Sequence, residues 1–395
     1  MKSVLFVDDE PRVLLGLKRM LHGMRGEWDM EFAEGPSAAL QAVERRAFDV
    51  VVTDMRMPQM DGNALLTQVQ KRSPSTIRIV LTGQADPAAA LQATTLAHRF
   101  LSKPCDAESL KETVRRCCAL QELLQQKELR DLVGAVGCVP AIPSVYEEFT
   151  RVLQDPDADL QALAKVVKQD PLICAKLLHL VNSAFFGAAQ RIATIEHALN
   201  YLGTKTAQQL ILNVELFERV PVDSARTGVD MLWEQRHSLQ VADFSRRIAK
   251  DLVNADHAFT AGILHDVGRM LVAALLPERA AEISLEKSTS EEHGHAIEQA
   301  VLGATHAELG AYLFGLWCLP HPVVEAIAFH HRPAAIDLER PGLATVLHVA
   351  DALIHEAEGR KPRLDETHVQ RMGLSKALEA WRAAARVAPR DQQPS

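Results

Sequence analysis

The stretch Val50-Val51-Val52-Thr53-Asp54 decides how the first part of this 395-residue chain folds. An apolar run that ends in an aspartate is typical of a strand buried on both faces of a parallel sheet. Comparable runs lie at Val4–Val7, Ile77–Leu81 and Arg99–Ser102. Because helical patterns separate these runs, we predict an open α/β sheet of parallel strands.

Polar or charged residues follow each of these runs. Asp8 and Asp9 follow the first, Asp54 the second, and Thr82 and Lys103 the last two. The ligand site of an open parallel sheet lies beyond the carboxyl ends of its strands, so we expect all five to reach one crevice. Three carboxylates there need a cation, and carboxylate oxygens with water suit Mg²⁺ that shares a phosphate with the protein. The lysine then supplies a positive charge for that phosphate.

This order of residues resembles the receiver domain of two-component response regulators over about residues 1–125. The resemblance implies a flavodoxin-like, doubly wound fold in which Asp54 accepts a phosphoryl group from a phosphohistidine donor. It implies a magnesium ion held by Asp8, Asp9, Asp54 and the backbone carbonyl of Arg56. A sensor histidine kinase or a phosphotransfer protein is then the expected partner.

The same resemblance assigns Thr82 and Phe100 to the hydroxyl and aromatic switch positions. It assigns Lys103 to phosphate binding, directly before the family's cis-proline at Pro104. The alternative is that strand-end aspartates are solvated turn residues, which suits a single aspartate better than five matched positions. A hydrolase is less consistent with the pattern, because no separate base is placed beside Asp54 and the aspartate itself is the covalent group.

The composition is that of an ordinary soluble protein with two or three domains, at 47% hydrophobic and 24% charged residues. A formal charge of −8 disfavours a broad nucleic-acid or anionic-membrane surface. Since no DNA-binding motif, leader or run of about 18 apolar residues occurs, we expect a cytoplasmic protein without DNA or membrane contact. The six cysteines show no C-x-x-C spacing and are expected to be reduced thiols.

A long helix is predicted from Asp106 to Leu132, which extends the receiver core at 1–105 into a connector at 106–133. The apolar residues that recur there at helical spacing are Leu110, Val114, Cys117, Leu120, Leu123 and Leu124. Such a stripe either packs only on its own domain or pairs with its twin in a homodimer. Both interpretations remain open.

A boundary is predicted at 134–143, where glycine and proline interrupt the helical pattern. From 144 to about 386 the chain has the pattern of one helix after another, which makes the predicted fold class α/β plus all-α. We expect an output domain at 134–360, a helical extension at 361–386 and a disordered tail at 387–395.

Several ionisable side chains occupy the apolar faces of these predicted helices. One inward-facing histidine is usually a satisfied core residue, but an inward aspartate is costly unless it is paired or bound to a metal. Two aspartates and several histidines therefore indicate one shared site, and this mixture suits Zn, Mn, Fe or Ni rather than Ca. The residues predicted to share it are His237, His265, Asp266, His306, His330, His331 and Asp351.

Both aspartates and the first two histidines of this set follow the order H...HD...D, which resembles the signature of the HD metal-dependent phosphohydrolases. The other three, His306, His330 and His331, resemble the additional ligands of the HD-GYP cyclic-di-GMP phosphodiesterases. In those enzymes the double histidine leads into a Gly-Tyr-Pro segment. Here it leads into Arg332-Pro333-Ala334, which departs from that group.

A closer resemblance, to the HDOD (HD-related output) domain, covers about residues 134–360. The motifs that carry it include Pro140-Ala141-Ile142-Pro143, Gln169-Asp170-Pro171-Leu172, Val181-Asn182-Ser183-Ala184-Phe185-Phe186-Gly187, Leu264-His265-Asp266-Val267-Gly268 and His348-Val349-Ala350-Asp351. HDOD domains are generally regarded as signalling outputs without demonstrated catalysis.

Two functions therefore remain open. In the first, the chain is a phosphorylation-activated response regulator whose HDOD half binds a signalling protein or a nucleotide without chemistry. In the second, that half is a receiver-gated, metal-dependent phosphodiesterase or phosphohydrolase, with cyclic dinucleotides among the candidate substrates and metal-bound hydroxide as the nucleophile. Whether the chain is an enzyme stays open, and catalytic residues are not assigned.

Overall fold

The computed structural model describes residues 1–58, 60–82, 96–135, 144–155, 159–182, 191–204, 207, 222–289, 294–317, 319–337, 339–360 and 364–387. A parallel sheet with flanking helices comes first and a helical region follows. The predicted fold class, α/β plus all-α, is confirmed.

Five parallel strands form one sheet in the order β2-β1-β3-β4-β5. They are β1 Lys2–Asp8, β2 Trp28–Glu34, β3 Val50–Asp54, β4 Ile77–Thr82 and β5 Arg99–Ser102. The edge strand β2 is absent from the sequence prediction, because only Trp28 and Ala33 in it are buried and it lacks an apolar run. This order reverses direction between β1 and β3, which opens a crevice at the carboxyl ends of those strands.

Alternate residues of the strands enter two different cores. Val4 and Phe6 of β1 face the larger core, whereas Leu5 and Val7 face a smaller one. The helices around the sheet are α1 Pro11–Met20, α2 Gly35–Arg45, α3 Gly62–Arg72 and α4 Ala107–Leu123. Local sequence sets their starts: Asp106, for example, accepts a hydrogen bond from Ser109 N at 2.9 Å at the beginning of α4.

The prediction of one continuous helix through the connector is wrong. After α4 the chain is extended at Leu124, and a second helix, α5, covers Lys127–Ala135. Leu124 is fully buried, so the chain bends to place it in the core. Arg130 Nη1 donates to the carbonyls of Leu124 and Gln125, at 2.7 and 3.2 Å, which satisfies backbone acceptors freed by the break.

The apolar stripe predicted on the connector helix is buried within the chain. Leu110, Val114, Cys117 and Leu124 are buried within the chain, while Leu120 and Leu123 are partly buried against the same core. The stripe therefore packs inside the chain, but not only on its own domain, because Leu120 lies against Gly315 of the second half. A homodimer stays a prediction, and it needs a different surface.

The second half consists of helices, as predicted. In chain order they are α6 Ser144–Leu153, α7 Leu160–Val167, α8 Pro171–Val181, α9 Ile195–Leu202, α10 Ser224–Thr227, α11 Met231–Ala249, α12 Ala255–Leu264, α13 Val267–Leu275, α14 Pro277–Thr289, α15 Gly294–Leu302, α16 His306–Leu316, α17 His321–Phe329, α18 Leu343–Ala357, α19 Glu366–Arg371 and α20 Ser375–Val387. Helix α11 packs against α12 and α18, and α13 packs against α16. These contacts bring the ends of several helices together.

Helix α16 also packs against α4 and α5, so it joins the two halves. Arg99 Nη2 at the start of β5 donates to the backbone oxygen of Gly315 at 2.8 Å. A Cβ atom on Gly315 would lie 2.2 Å from Leu120 Cδ2, which shows how closely α16 approaches α4. The larger core consequently runs without interruption from the sheet into the helical half.

Arg78 on β4 ties the connector to the sheet. Its guanidinium is buried and donates to the backbone oxygen of Gly134 at 2.7 Å, as well as to carbonyls near the start of β4. Gly134 itself approaches Pro74 so closely that a Cβ there would lie 2.3 Å from the Pro74 carbonyl oxygen. Because Gly134 lies inside α5, the predicted boundary at 134–143 begins within a helix.

Some predicted features lie outside the described residues. These are the motif at 140–143, most of the motif at 181–187, the tail from 388 onward, two cysteines and the side chain of Phe100. The structure describes four cysteines, Cys105, Cys117, Cys118 and Cys174, and no disulfide bond joins any two of them.

Among the described residues, the helical segment Ala255–Leu275 is long and apolar enough to cross a membrane, with a mean hydropathy of 1.3. Of its most apolar 18-residue stretch, 89% is buried inside the protein. Core helices of soluble proteins have the same length and composition, so the segment is weak evidence for a membrane span.

The crossing of α13 and α16 generates a prediction about stability. A Cβ on Gly268 would lie 2.0 Å from the His306 backbone oxygen, whereas one on Gly310 meets its nearest atom at 3.5 Å. Gly268→Ala should therefore destabilise the protein by about 1–3 kcal/mol, because the two backbones must separate. Gly310→Ala should be neutral or stabilise it by up to about 1 kcal/mol through helix propensity.

Denaturant unfolding of the full chain measures both variants. Equal midpoints for Gly268→Ala and Gly310→Ala would contradict the close crossing of these helices.

Candidate functional site

Three strand ends meet in the crevice predicted for the first domain. Asp8 ends β1, Asp54 ends β3, and Lys103 directly follows β5. Lys103 Nζ lies 3.0 Å from Asp8 Oδ2 and 2.7 Å from Asp54 Oδ1. Burial alone would lower the pKa of Lys103, but the hydrogen bonds to Asp54 and Asp8 outweigh it and raise that pKa. The lysine thus stays charged between two carboxylates.

The remaining residues predicted for this crevice occupy the same edge of the sheet. Thr82 ends β4 and is buried, and its backbone oxygen accepts a hydrogen bond from Lys103 N at 2.7 Å. The peptide bond between Lys103 and Pro104 is cis, as the resemblance implies. Asp9 follows Asp8 and is partly exposed, and Arg56 follows the end of β3 by two residues. The metal-binding roles of these last two stay predictions.

The loop after β3 folds back on the strand end. Gly62 N donates to the Met55 oxygen at 2.9 Å. A Cβ on Gly62 would lie 2.5 Å from the Asp54 backbone oxygen, so only glycine fits there without displacing the strand. This close approach fixes the wall of the crevice next to the Asp54 carboxylate, whose side chain is 14% exposed. The crevice therefore presents a reachable carboxylate beside a fixed positive charge.

A second site lies in the helical half, and we call it the histidine–carboxylate cluster. Its inner group consists of Asp266, His306, His330 and His331, whose ligand atoms lie within 4.8 Å of one another. His306 Nε2 is 3.0 Å from Asp266 Oδ1 and 3.1 Å from His331 Nε2. Asp266 separates α12 from α13, His306 begins α16, and the two other histidines follow α17. Three helix ends therefore converge.

The central group consists of His237, His265 and Asp351. His265 Nε2 lies 3.4 Å from Asp266 Oδ2 and 3.6 Å from Asp351 Oδ1. His237 Nε2 is 3.1 Å from Asp351 Oδ1. The structure thus brings together all seven residues that the sequence indicates for this site.

Backbone carbonyls fix the orientation of two histidines. His265 Nδ1 donates to the Gly262 oxygen and His330 Nδ1 donates to the Ile327 oxygen, each at 2.7 Å and each at the end of its helix. Their Nε2 atoms are buried and have no hydrogen-bond partner among the described residues. A histidine that gives one N–H to a carbonyl and directs the other nitrogen into a site is arranged as metal-bound histidines are.

Sequence reasoning missed three members of the cluster. Glu298 on α15 accepts from His306 Nδ1 at 2.6 Å and also from the His306 backbone N–H. His355 and Glu358 lie near the end of α18 and form an outer group with His237. The spacing of these last two from Asp351, four and seven residues, places all three on one helical face and was a signal available in the sequence. No comparable signal indicates Glu298, which reaches the cluster only through tertiary packing.

The charges of the cluster are strongly coupled. Burial disfavours a charged imidazole, yet Asp266 and Asp351 outweigh it and hold the pKa of His265 well above its usual value. The pKa of His306 is also raised, by Glu298 and Asp266 against burial. Burial together with His265 and His306 lowers the pKa of His330 to about 3. In the absence of a metal ion, the buried carboxylates therefore favour the charged forms of His265 and His306.

Arg269 contributes a further positive charge at the rim. Its guanidinium contacts Asp266 Oδ2 at 3.1 Å and Glu234 Oε1 at 3.2 Å. With His306 and Glu298 it lines a cavity of about 50 Å³, large enough for water. Solvent therefore approaches the inner group from this side.

Two family models match the chain. The response regulator receiver domain matches residues 4–115, and the HDOD domain matches residues 139–333. The first match lies on the part of the chain that forms the parallel sheet, and the second lies in the helical half.

Several curated proteins are similar to parts of the chain. An uncharacterised protein of Treponema pallidum is 29% identical over 235 residues, which are 58% of this chain and 45% of that protein. The DNA-binding transcriptional regulator NtrC of Escherichia coli is 32% identical over 154 residues, which are 38% of this chain and 32% of that protein. The chain thus matches less than half the length of these relatives.

Two solved structures share the fold. The MmoQ response regulator of Methylococcus capsulatus superposes with a TM-score of 0.50 at 23% identity, covering 62% of this chain and 98% of that one. A virulence factor of Campylobacter jejuni superposes with a TM-score of 0.52 at 18% identity, covering 67% of this chain and 98% of that one. At these identities the similarity concerns the fold alone.

Proposed function

Since the chain belongs to the response regulators that join a receiver domain to an HDOD output domain, we propose that phosphorylation of Asp54 is its input. A sensor histidine kinase or a phosphotransfer protein supplies the phosphoryl group. The HDOD half is the output and binds a signalling protein or a ligand. The observation that carries this proposal is the placement of Lys103 between Asp8 and Asp54 at the carboxyl ends of the strands.

The chemistry follows from that placement. A carboxylate oxygen of Asp54 attacks the phosphorus of a phosphohistidine, an O–P bond forms, the N–P bond breaks, and the imidazole leaves. Lys103 can move from the two carboxylates to the transferred phosphoryl oxygens, which carry more charge. Carboxylate donors suit Mg²⁺, and Asp8, Asp9, Asp54 and the carbonyl of Arg56 would hold it, where it would offset the charge of the phosphoryl oxygens.

One strand and one side-chain hydrogen bond connect this crevice to the output half. Lys103 follows β5, and the first residue of that strand, Arg99, holds the Gly315 oxygen of α16. The first residue of α16 is His306, in the inner group of the cluster. We assign to α16 the transmission of the receiver state, because one short helix contacts both the receiver and the cluster.

A specific observation favours a second function for the HDOD half, as a metal-dependent phosphohydrolase. The Nε2 atoms of His265 and His330 are directed into the cluster without hydrogen-bond partners in the described part of the chain. Imidazole nitrogens with aspartate oxygens suit a transition metal, and the inner and central groups of the cluster would hold it. Such an ion would supply an activated water for phosphoester hydrolysis.

The proposed input predicts one acid-labile phosphate per chain. Incubation with acetyl phosphate and Mg²⁺ should label Asp54, and Asp54→Ala should abolish the label, which intact mass spectrometry measures. Asp9→Ala should slow labelling, because it removes a magnesium ligand. Asp61→Ala, which removes only the N-cap of α3, serves as the matched control and should label normally. Full labelling of Asp54→Ala would overturn the assignment.

The second function predicts that the full chain, purified without chelator, contains a transition metal. His265→Ala combined with Asp266→Ala should lose the ion of the histidine–carboxylate cluster, while His321→Ala, which changes an exposed histidine on α17, should keep it. Elemental analysis measures the content, and incubation of the loaded protein with cyclic dinucleotides measures turnover. Metal-free protein of undiminished stability would instead mean that histidines and carboxylates satisfy one another.

The proposed route predicts that a phosphate mimic alters α16. Beryllofluoride with Mg²⁺ should change hydrogen exchange of α16 in the wild type. Arg99→Gln should weaken that response without affecting labelling of Asp54, because Arg99 lies at the opposite end of β5 from Lys103. Arg116→Gln on α4, whose arginine pairs with Glu112 at the surface, is the control. An unchanged α16 response in Arg99→Gln would rule out this route.

A further inference from the structure

We propose that a cavity between the two halves is a binding site for a nucleoside monophosphate. This interface cavity lies between α4, which follows the receiver sheet, and α17 of the output half. The residues that line it include Arg99, Arg116, Leu120, Arg191, Leu319 and Phe329. The inference does not depend on phosphorylation of Asp54, which ends β3, whereas Arg99 begins β5 of the same parallel sheet.

The interface cavity is larger than a defect in packing. Its volume is about 290 Å³, whereas voids in a close-packed interior rarely exceed the size of a water molecule. Pockets for small molecules span about 300–1,000 Å³ and occur preferentially where two domains meet. The interface cavity lies at the lower end of that range. Its size therefore suits a single nucleotide better than a dinucleotide or a peptide segment.

The charge around the interface cavity is opposite in sign to that of the chain. The chain carries a formal charge of −8, yet the described residues that line the cavity include three arginines and one acidic residue, Glu325. Arg99 is buried, whereas Arg116 and Arg191 are exposed. Positive charge therefore extends from the inner wall to the mouth. Because the planar guanidinium matches phosphate oxygens bidentately, these arginines favour a ligand with a phosphate group.

Two of these arginines are held in ways that suit a phosphate. Arg99 Nη2 donates to the Gly315 backbone oxygen at 2.8 Å, and a carbonyl fixes a guanidinium without neutralising it. Arg116 Nε lies 2.6 Å from Glu112 Oε1 on the surface of α4, where both side chains are about half exposed. A surface ion pair of this kind contributes little to stability. Arg116 can therefore turn from Glu112 to a phosphate that carries more charge.

The other walls of the interface cavity suit a nucleobase. Leu120 and Leu123 line it from α4, and Leu319 and Val324 line it from the output half. Phe329, the last residue of α17, is partly exposed and adds an aromatic ring. Aromatic rings and guanidinium planes both stack on nucleobases. An acyl chain would bury the same leucines but would not use three arginines, so we assign the cavity to a nucleotide.

Isothermal titration calorimetry of the full chain with AMP and GMP tests this proposal. Adenosine and guanosine report the neutral body alone, and inorganic phosphate reports the charged head alone. We expect one saturable site per chain for at least one nucleotide, with tighter binding than its nucleoside or inorganic phosphate shows. Arg116→Gln should weaken binding about tenfold or more, because a hydrogen bond to a charged group is lost. Ala119→Phe, which adds a ring at an exposed position lining the cavity, should abolish binding.

Matched variants separate the interface cavity from the rest of α4. Arg115 precedes Arg116, but its guanidinium lies 3.3 Å from Glu27 of the receiver, so Arg115→Gln should bind as the wild type does. Glu325→Gln should tighten nucleotide binding, because it removes an acidic group from the wall. Thermal unfolding checks that each variant folds. The bound nucleotide should raise the unfolding temperature of the wild type and leave that of Ala119→Phe unchanged.

Three outcomes would overturn the proposal. The first is a wild type without saturable binding of either nucleotide. The second is binding that Arg116→Gln and Ala119→Phe leave unchanged, which would place the nucleotide elsewhere. The third is inorganic phosphate bound as tightly as the nucleotide, which would mean a charged surface only. Labelling of Asp54 by acetyl phosphate is measured separately, so each of these results leaves the proposed input standing.

Discussion

Helix α16 is apolar on nearly every side, and this constraint organises the whole molecule. All residues from His306 to Leu316 except Glu308 are buried. A helix of this kind needs partners all around it, and no single half of the chain supplies them. Helices α13 and α17 cover one part of its surface, and α4 and α5 cover another part. Helices α4 and α5, which follow the receiver sheet, therefore complete the packing around a helix of the output domain.

The same constraint explains why the chain bends after α4. A straight helix would carry Leu124 away from α16, whereas the break places that leucine in the shared core. Burying one leucine contributes roughly 1.5–3 kcal/mol, enough to offset the backbone hydrogen bonds lost in the bend. The carbonyls near the break gain Arg130 as a donor, which reduces that loss further.

Sequence patterns predicted the receiver better than the output half for a physical reason. Asp8, Asp54 and Lys103 each follow an apolar run, and parallel strands bring their ends to one edge whatever the helices do. Five histidines of the cluster, His237, His265, His306, His330 and His331, were also predictable, because each lies on or directly beside an otherwise apolar helical pattern. The contacts of each ring nitrogen of His265 and His237 depend on the angles at which the helices cross. The spacing of apolar residues in the sequence does not determine those angles.

The break at Leu124 was not predictable from its own segment, since every residue from Asp106 to Leu132 suits a helix. Its cause is tertiary, namely a helix about 180 residues further along the chain. Glu298 was missed for the same reason. At the strand ends, local preference and long-range packing agree, and the sequence predicted the structure correctly. At the break and at Glu298, packing determined the structure, and the sequence did not predict it.

The continuity of the larger core has a consequence for how the protein loses its structure. Two family domains in one chain usually melt one after the other, each with its own cooperative transition. Here a single set of buried contacts extends from Val4 and Phe6 of the sheet to Leu353 and Ile354 of α18. Opening the receiver would expose α16, and opening the helical half would expose α4. We therefore expect the joined pair to unfold as one cooperative unit.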